Sequence, residues 1–172
     1  KGIKTIANSA VDIATALTKS SAAMAALGNT SSETIGLVTA GTEELVGQAS
    51  KVAKGLQTIG INLSSAAQAG DTLTISVGGV KKQIQLLSDT GDTLSTFDIL
   101  KQIAQYWGDM TNAEKTAVAE AQAGKTRFDV YSAVMSSFSD AIAANETAMN
   151  SKGSAAKENA KYMESMKAKG IS

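Results

Sequence analysis

Apolar and small residues recur at helical spacing through the first third of the chain. Two series advance in steps of three and four residues, which is the spacing of a heptad seam. The first comprises Ile3, Ile6, Ala10, Ile13, Leu17, Ser20, Met24 and Leu27, and the second comprises Leu45, Ala49, Val52, Leu56, Ile59 and Leu63. Each series predicts a long helix that buries one face.

A helix stop and a helix start follow the first series. Gly28-Asn29 ends the first predicted helix, because glycine and asparagine accept the left-handed backbone that often follows a helix. Thr30 or Ser31 then offers a hydroxyl that caps the next helix. We therefore expect a break in the helical structure at residues 28–31.

The next helix is predicted to be short. It spans residues 35–40 and closes at Gly41, after which Thr42 caps the second long helix. Glu43 and Glu44 then lie in the first turn of that helix, where negative charge complements the helix dipole. Paired carboxylates hydrolyse sugars in some enzymes, but neighbouring helical residues point about 100° apart. We interpret this pair as structural.

The pattern changes from helical to alternating between residues 71 and 87. Gly78-Gly79 falls in the middle of this region as a hairpin turn. The alternating apolar positions are Leu73, Ile75 and Val77 before the turn and Ile84 and Leu86 after it. A two-stranded hairpin alone is marginal in water, so we expect it to lie on the helices or to pair with another chain.

Helical spacing returns after a predicted loop at residues 88–95. A helix starts at Thr96 and carries on one face Phe97, Leu100, Ile103, Ala104 and Trp107. Thr111 and Glu114 then form a capping box, in which the hydroxyl accepts from the glutamate amide and the carboxylate accepts from the threonine amide. The helix that this box opens is predicted to end at Gly124.

The last quarter of the chain predicts one long helix and a final polar one. The seam of the long helix is Phe128, Tyr131, Met135, Phe138, Ile142, Asn145 and Met149. Residues 150–153 interrupt it, and a lysine-rich helix with Tyr162, Met163 and Met166 follows. Asn145 is the polar member of the seam, and a buried asparagine can fix helix register; a partly exposed site is the alternative.

The predicted fold class is mainly α, a multi-helix bundle with long helices and a small β-hairpin insertion around residues 72–87. We expect a single helical module over residues 1–172, with helical parts at 1–68 and 96–172 and the hairpin and loop at 69–95. Because the chain begins at Lys1, without an initiator methionine or a signal-peptide pattern, we interpret it as a module of a longer protein.

Composition excludes several kinds of chemistry. The chain has no cysteine and no histidine, which excludes disulfides, thiolate or imidazole metal ligands and a serine-histidine-aspartate triad. Acidic and basic residues balance at 16 each, and Arg127 is the one arginine, so there is no basic stripe for specific nucleic-acid recognition. Polar residues interrupt every apolar stretch well short of the ~20 residues that span a bilayer.

Three motifs have a structural interpretation that we prefer to a catalytic or ligand-binding one. Residues 123–126 look like the end of a phosphate-binding loop, but Ala119 stands where that loop needs glycine and a helix precedes it. Acidic residues near the hairpin lack the spacing of an EF-hand and fit turns. Trp107 lies on an apolar face and fits core packing. We therefore predict no catalytic, cofactor or metal site and no enzyme.

Large parts of the predicted helices carry no charge. The stretches at residues 20–32 and 55–70 contain no charged side chain, whereas solvated helix faces usually carry Lys and Glu. Uncharged faces of Ala, Ser, Thr and Asn pack against other chains without burying charge, which favours assembly. A general bias of the sequence towards alanine and serine is the alternative explanation.

Four stretches of the chain, taken in order, resemble the conserved region of phage tail tape measure proteins, of the type common in long-tailed phages and prophages of Gram-positive bacteria. They are Gly36-Leu37-Val38-Thr39-Ala40-Gly41-Thr42-Glu43 with Val52, Lys54, Leu56 and Thr58-Ile59; Ser95-Thr96-Phe97-Asp98-Ile99-Leu100 with Ile103-Ala104, Trp107, Met110-Thr111 and Glu114-Lys115; Ala123-Gly124-Lys125-Thr126-Arg127-Phe128; and Asn150-Ser151-Lys152-Gly153-Ser154-Ala155 with Glu158-Asn159, Tyr162 and Ser165. Together they extend over nearly the whole chain.

The resemblance implies a structural role in tail assembly, tail length determination and genome ejection. Members of this family occupy the lumen of the virion tail after assembly in the host bacterial cytoplasm. The implied partners are further copies of the chain, tail tube and tail-tip proteins, and tail assembly chaperones. The family-motif positions, which we interpret as structural, are Gly41, Trp107, Thr111, Glu114, Gly124, Gly153, Glu158, Asn159 and Tyr162.

The role in tail length determination that the resemblance implies has a physical limit in this segment. A single extended helix of this length would reach roughly 260 Å, but the glycine stops, caps and hairpin predict a chain that folds back on itself. We expect a compact helical module, with length measured mostly by regions outside it. The main alternative is a secreted helical filament or translocator-type structural protein, and a second is a peptidoglycan-degrading enzyme domain.

Overall fold

The structure is a computed structural model that describes residues 2–151, with side chains from Ala10 onward. These residues form seven helices and one two-stranded antiparallel hairpin. The elements are α1 Gly2–Ala26, α2 Ser31–Glu44, α3 Ala49–Gln68, β1 Leu73–Val77, β2 Val80–Ile84, α4 Thr96–Trp107, α5 Asn112–Ala123, α6 Phe128–Ser136 and α7 at residues 138–151. The predicted mainly α fold with a small β insertion is confirmed. The predicted final helix lies outside the described residues.

Several predicted boundaries are confirmed, because local capping chemistry determines them. Thr30 caps α2, and its hydroxyl accepts from the Glu33 amide while the Glu33 carboxylate accepts from the Thr30 amide. Ser95 caps α4 through one contact only, in which its hydroxyl accepts from the Asp98 amide. The helix α5 ends at Gly124, where φ is 81°, a conformation that glycine adopts without strain.

The predicted helix break at Gly41 is wrong. The helix α2 continues through Gly41 to Glu44, and the Thr42 hydroxyl donates back to the Val38 carbonyl instead of capping a new helix. Glycine is used here for close packing, since a Cβ on Gly41 would lie 2.7 Å from Cγ1 of Val52 on α3. The second long helix, α3, therefore begins only at Ala49.

The single long helix predicted from Phe128 to Met149 is also wrong. Ser137 leaves helical geometry, with φ −113° and ψ 23°, and separates α6 from α7. Its hydroxyl donates to the Glu44 carboxylate at the end of α2. The break allows each of the two helices to meet its own glycine, because Val130 of α6 contacts Gly55 while Ala141 of α7 contacts Gly36.

One apolar core joins both helical parts. It extends from Ala16 in α1 to Ala141 in α7 and includes buried side chains from every helix and from the hairpin. The predicted seam of α3 is buried from Ala49 to Leu63. Leu45, the first predicted member of that seam, is instead the C-cap residue of α2. In α1 the predicted seam residue Ala10 is exposed. Within the described residues, no helix has the length and apolarity that a membrane crossing requires.

The hairpin has the predicted turn and faces. Val77 pairs with Val80 around Gly78-Gly79, whose φ values are 57° and 83°, as the tight mirror-image turn between two strands requires. The inward side chains are buried, namely Ile75, Val77, Ile84 and Leu86. Residues 88–95 form the predicted loop, and an isolated bridge pairs Thr93 of the loop with Leu87 just before it.

A buried asparagine connects the α1–α2 link to the start of α4. The Asn29 Nδ2 group donates to the Met24 carbonyl at 3.0 Å and to the Thr96 hydroxyl at 3.1 Å. Its Oδ1 accepts from the Phe97 amide at 2.9 Å. Asn29 therefore satisfies main-chain groups of two helix ends that are far apart in sequence.

Candidate interaction site

The described family-motif positions lie at helix ends and in the core. Thr111 and Glu114 form the predicted capping box of α5, and Gly124 ends that helix. Trp107 is buried at the end of α4, and Gly41 lies where α2 crosses α3. The other predicted positions lie outside the described residues: Gly153, Glu158, Asn159 and Tyr162.

Glu114 has a second role that the capping box does not predict. Its Oε1 accepts from the Thr111 amide at 2.9 Å and from the Gly78 amide at 2.8 Å, and its Oε2 accepts from the Gly79 amide at 3.0 Å. One carboxylate therefore holds both the start of α5 and the turn of the hairpin. These three backbone N–H groups lower the pKa of Glu114 to about 2, because they stabilise the charged form.

Aromatic and cationic side chains pack beside this connection. The Trp107 ring lies 5.9 Å from the Tyr131 ring, and the Lys115 ammonium lies 5.5 Å from the Trp107 ring centroid. Burial raises the pKa of Tyr131 well above its usual value, although the neighbouring Gln122 side chain opposes the shift. This packing supports core roles for Trp107 and Tyr131.

Two grooves flank this part of the molecule. The first, which we call the β1–α5 groove, encloses about 350 Å³ and runs between residues 73–76 and the α5 side chains of residues 113–122. The second lies between α4 and the α6–α7 pair, encloses about 510 Å³ and includes Trp107, Phe138 and Ile142 in its lining. Both grooves have predominantly apolar walls, which suits them to contact with polypeptide.

Carboxylates gather at a different place, where the end of α2 meets α7. The pKa of Glu43 is raised to about 7 by desolvation, by a hydrogen bond with Asp140 and by the charges of Asp140 and Glu44. The sequence-based placement of Glu43 and Glu44 in a first turn is wrong, because they occupy the last turn of α2. Among the described residues, no group of three or more acidic side chains is arranged to hold a metal ion.

Sequence reasoning missed the residues that join distant elements. Asn29 reads as a helix stop, and nothing local indicates that it reaches α4. Gln102 is similar, since its side-chain amide donates to the Gln85 carbonyl at 2.8 Å and accepts from the Gln85 amide at 2.9 Å. Asn145, the polar member of the predicted seam, is half-buried, and its Oδ1 has no hydrogen-bond partner among the described residues.

No protein-family model matches the chain, and no solved structure matches it significantly. The likeness to tape measure proteins therefore remains a prediction that rests on the four sequence stretches. The geometry adds the structural roles of five described motif positions, the Glu114 contact and the two grooves.

Proposed function

We propose that the chain is a folded structural module of a phage tail tape measure protein and acts in tail assembly and tail length determination. By the family resemblance, it resides in the lumen of the virion tail and takes part in genome ejection. Its proposed partners are further copies of itself, tail tube and tail-tip proteins, and tail assembly chaperones.

The observation that best supports this proposal is the use of the family-motif positions in the described residues. Thr111 and Glu114 start α5 and hold the hairpin turn, Gly124 ends α5, and Gly41 permits a close helix crossing. Trp107 is packed between Tyr131 and Lys115. These described positions therefore have structural roles, which agrees with the structural interpretation that the family resemblance implies for them.

Hydrogen bonds between distant parts of the sequence favour a module of fixed shape over a segment whose length sets the length of the tail. Contacts such as Asn29 to Phe97 and Ser137 to Glu44 join residues 68 and 93 positions apart in sequence. A deletion inside the module would remove one partner of such contacts instead of shortening a rod. We therefore assign length measurement mainly to regions of the parent protein outside this module.

The test is an in-frame deletion of residues 96–124 in the phage or prophage that encodes the chain, with tails examined by electron microscopy. We expect failed or aberrant tail assembly, because α4 and α5 supply core side chains. Tails shortened by about 1.5 Å per deleted residue would contradict the fixed-shape module. Tails of normal length, number and infectivity would contradict the tail function itself.

A matched control separates loss of the fold from loss of length. A deletion of the same size in a long helical region of the parent protein should shorten tails in proportion and still give complete tails. Export of the protein by a secretion system, with no copies in purified virions, would instead support the filament or translocator alternative. Release of peptidoglycan by the purified chain would support the enzyme alternative.

A further inference from the structure

The outer edge of β1 carries main-chain groups without partners. Because the turn has two residues, the pairs that share ladder hydrogen bonds are Val77 with Val80 and every second pair after it. Thr74 and Ser76 therefore direct their N–H and C=O groups away from β2. Within the described residues, neither main chain makes any other hydrogen bond.

The outer edge on the β2 side is protected. Its sequence carries Lys81 and Lys82, and lysine on an edge strand hinders pairing with other chains. Just beyond the strand, the Gln102 side chain occupies both the amide and the carbonyl of Gln85. A side-chain amide thus takes the place of a neighbouring strand at this edge.

The β1 edge has neither kind of protection. Its five residues include no lysine, proline or charged side chain, and they open onto the β1–α5 groove. The opposite wall presents Ala113, Ala117 and Ala121, which are exposed and small. The groove's one charged side chain, Glu114, is committed to three backbone amides. The free edge is therefore complementary to uncharged extended main chain.

We propose that the β1 edge pairs antiparallel with the β1 edge of a second copy of this chain. With Ile75 on the two-fold axis, Thr74 of each copy lies opposite Ser76 of the other. Both N–H groups and both carbonyls on each side then find partners, which gives four hydrogen bonds in a four-stranded sheet. A second copy fits because the edge is self-complementary and the chain has a formal net charge of +0. This proposal is independent of the tape-measure assignment.

The test uses a matched pair of proline substitutions in the purified chain. Thr74 and Gln83 form one cross-strand pair, and both direct their N–H groups outward, so proline at either position leaves the ladder between β1 and β2 intact. Sedimentation equilibrium should show concentration-dependent dimers of the natural chain and of Gln83→Pro. Thr74→Pro should weaken dimerisation by at least about tenfold, since it removes one donor from each copy.

Amide hydrogen exchange provides a second measurement that does not depend on a variant. The Thr74 and Ser76 amides should exchange freely at low protein concentration and become protected as the dimer forms. A chain that stays monomeric at millimolar concentration overturns the proposal. So does a dimer that Thr74→Pro leaves unchanged, one that Gln83→Pro weakens equally, or one in which these amides stay unprotected.

Discussion

The Asn29 side chain accepts a hydrogen bond from the Phe97 backbone amide at 2.9 Å, across 68 residues of chain. The same side chain donates to Thr96 and to Met24. Because Asn29 is buried, with 5% of its surface exposed, no water can replace these contacts without opening the core. The bond therefore fixes where α4 begins relative to the end of α1.

Substitution of Asn29 by alanine should destabilise the protein by about 1–3 kcal/mol. The change leaves the buried Phe97 amide without an acceptor, and each buried unsatisfied group costs about 1–3 kcal/mol. Chemical denaturation followed by circular dichroism measures the loss. Asn112→Ala, at an exposed position in the first turn of α5, is the control and should change stability by less than about 1 kcal/mol. Equal effects of the two substitutions would refute a structural role for the Asn29 contacts.

Substitution of Gly36 by alanine should cost about 3 kcal/mol, at the upper end of overpacking effects. A Cβ at this position would overlap the Ala141 carbonyl oxygen, and a backbone atom cannot rotate away. Gly108→Ala is the matched control, because its φ of −65° suits alanine and nothing lies within 4 Å of the added carbon. In thermal unfolding, the midpoint temperature of Gly36→Ala should therefore be clearly lower than that of Gly108→Ala. A Gly36→Ala protein as stable as the control would show that α2 and α7 do not cross closely.

Removal of the Glu114 carboxylate should release the hairpin turn from α5. In Glu114→Ala, amide exchange of Gly78 and Gly79 should accelerate, because both amides lose their acceptor. Glu120→Ala, on the same helix, should leave that exchange unchanged. If the two variants protect these amides equally, the carboxylate does not hold the turn.

The Glu114 contact also predicts how stability depends on acid. The pKa of Glu114 in the folded protein is about 2, below its ordinary value of 4.5, so its contribution is present above pH 4.5 and is lost as the pH falls towards 2. Thermal unfolding between pH 2 and 7 should show a smaller acid-induced loss for Glu114→Ala than for Glu120→Ala. Parallel curves for the two variants would argue against this linkage.

The raised pKa of Glu43 predicts the opposite dependence of stability on pH. Its pKa in the folded protein is raised from 4.5 to about 7 by desolvation and by Asp140, so the folded state favours the protonated form. Its stabilising contribution is present below pH 4.5 and is lost as the pH rises to about 7. Glu43→Gln should remove this slope and raise stability at pH 8 by roughly 0.5 kcal/mol, the scale of exposed like-charge pairs on helices. Glu146→Gln, on an exposed part of α7, should not raise the stability at pH 8. An equal gain in stability from both substitutions would contradict the interaction of Glu43 with Asp140.

Local chemistry explains which parts of the fold the sequence could predict. The Thr111–Glu114 box, the Gly78-Gly79 turn and the Gly124 stop depend on residues within four positions of one another. Their spacing alone therefore located them. The sequence also predicted the apolar face of α4, including Trp107, because all residues of that face belong to one helix.

Contacts between distant elements explain the errors. Gly41 has the sequence of a helix stop but serves as a crossing point with Val52, and only the position of α3 reveals this. Ser137 interrupts the apolar seam predicted from Phe128 to Met149, and its hydrogen bond with Glu44 joins residues 93 positions apart, which the local pattern does not indicate. The sequence did not predict that Glu114 also binds the hairpin turn, because Gly78 and Gly79 lie 36 and 35 residues away from it.

We predict that the isolated chain folds as a compact module and does not form an extended rod. Small-angle X-ray scattering of the full 172-residue chain, at the lowest practical concentration, tests it most directly. A compact monomer should give a radius of gyration of about 16–20 Å. A continuous helical rod of the same length would give roughly 74 Å, and a value near that would contradict the account.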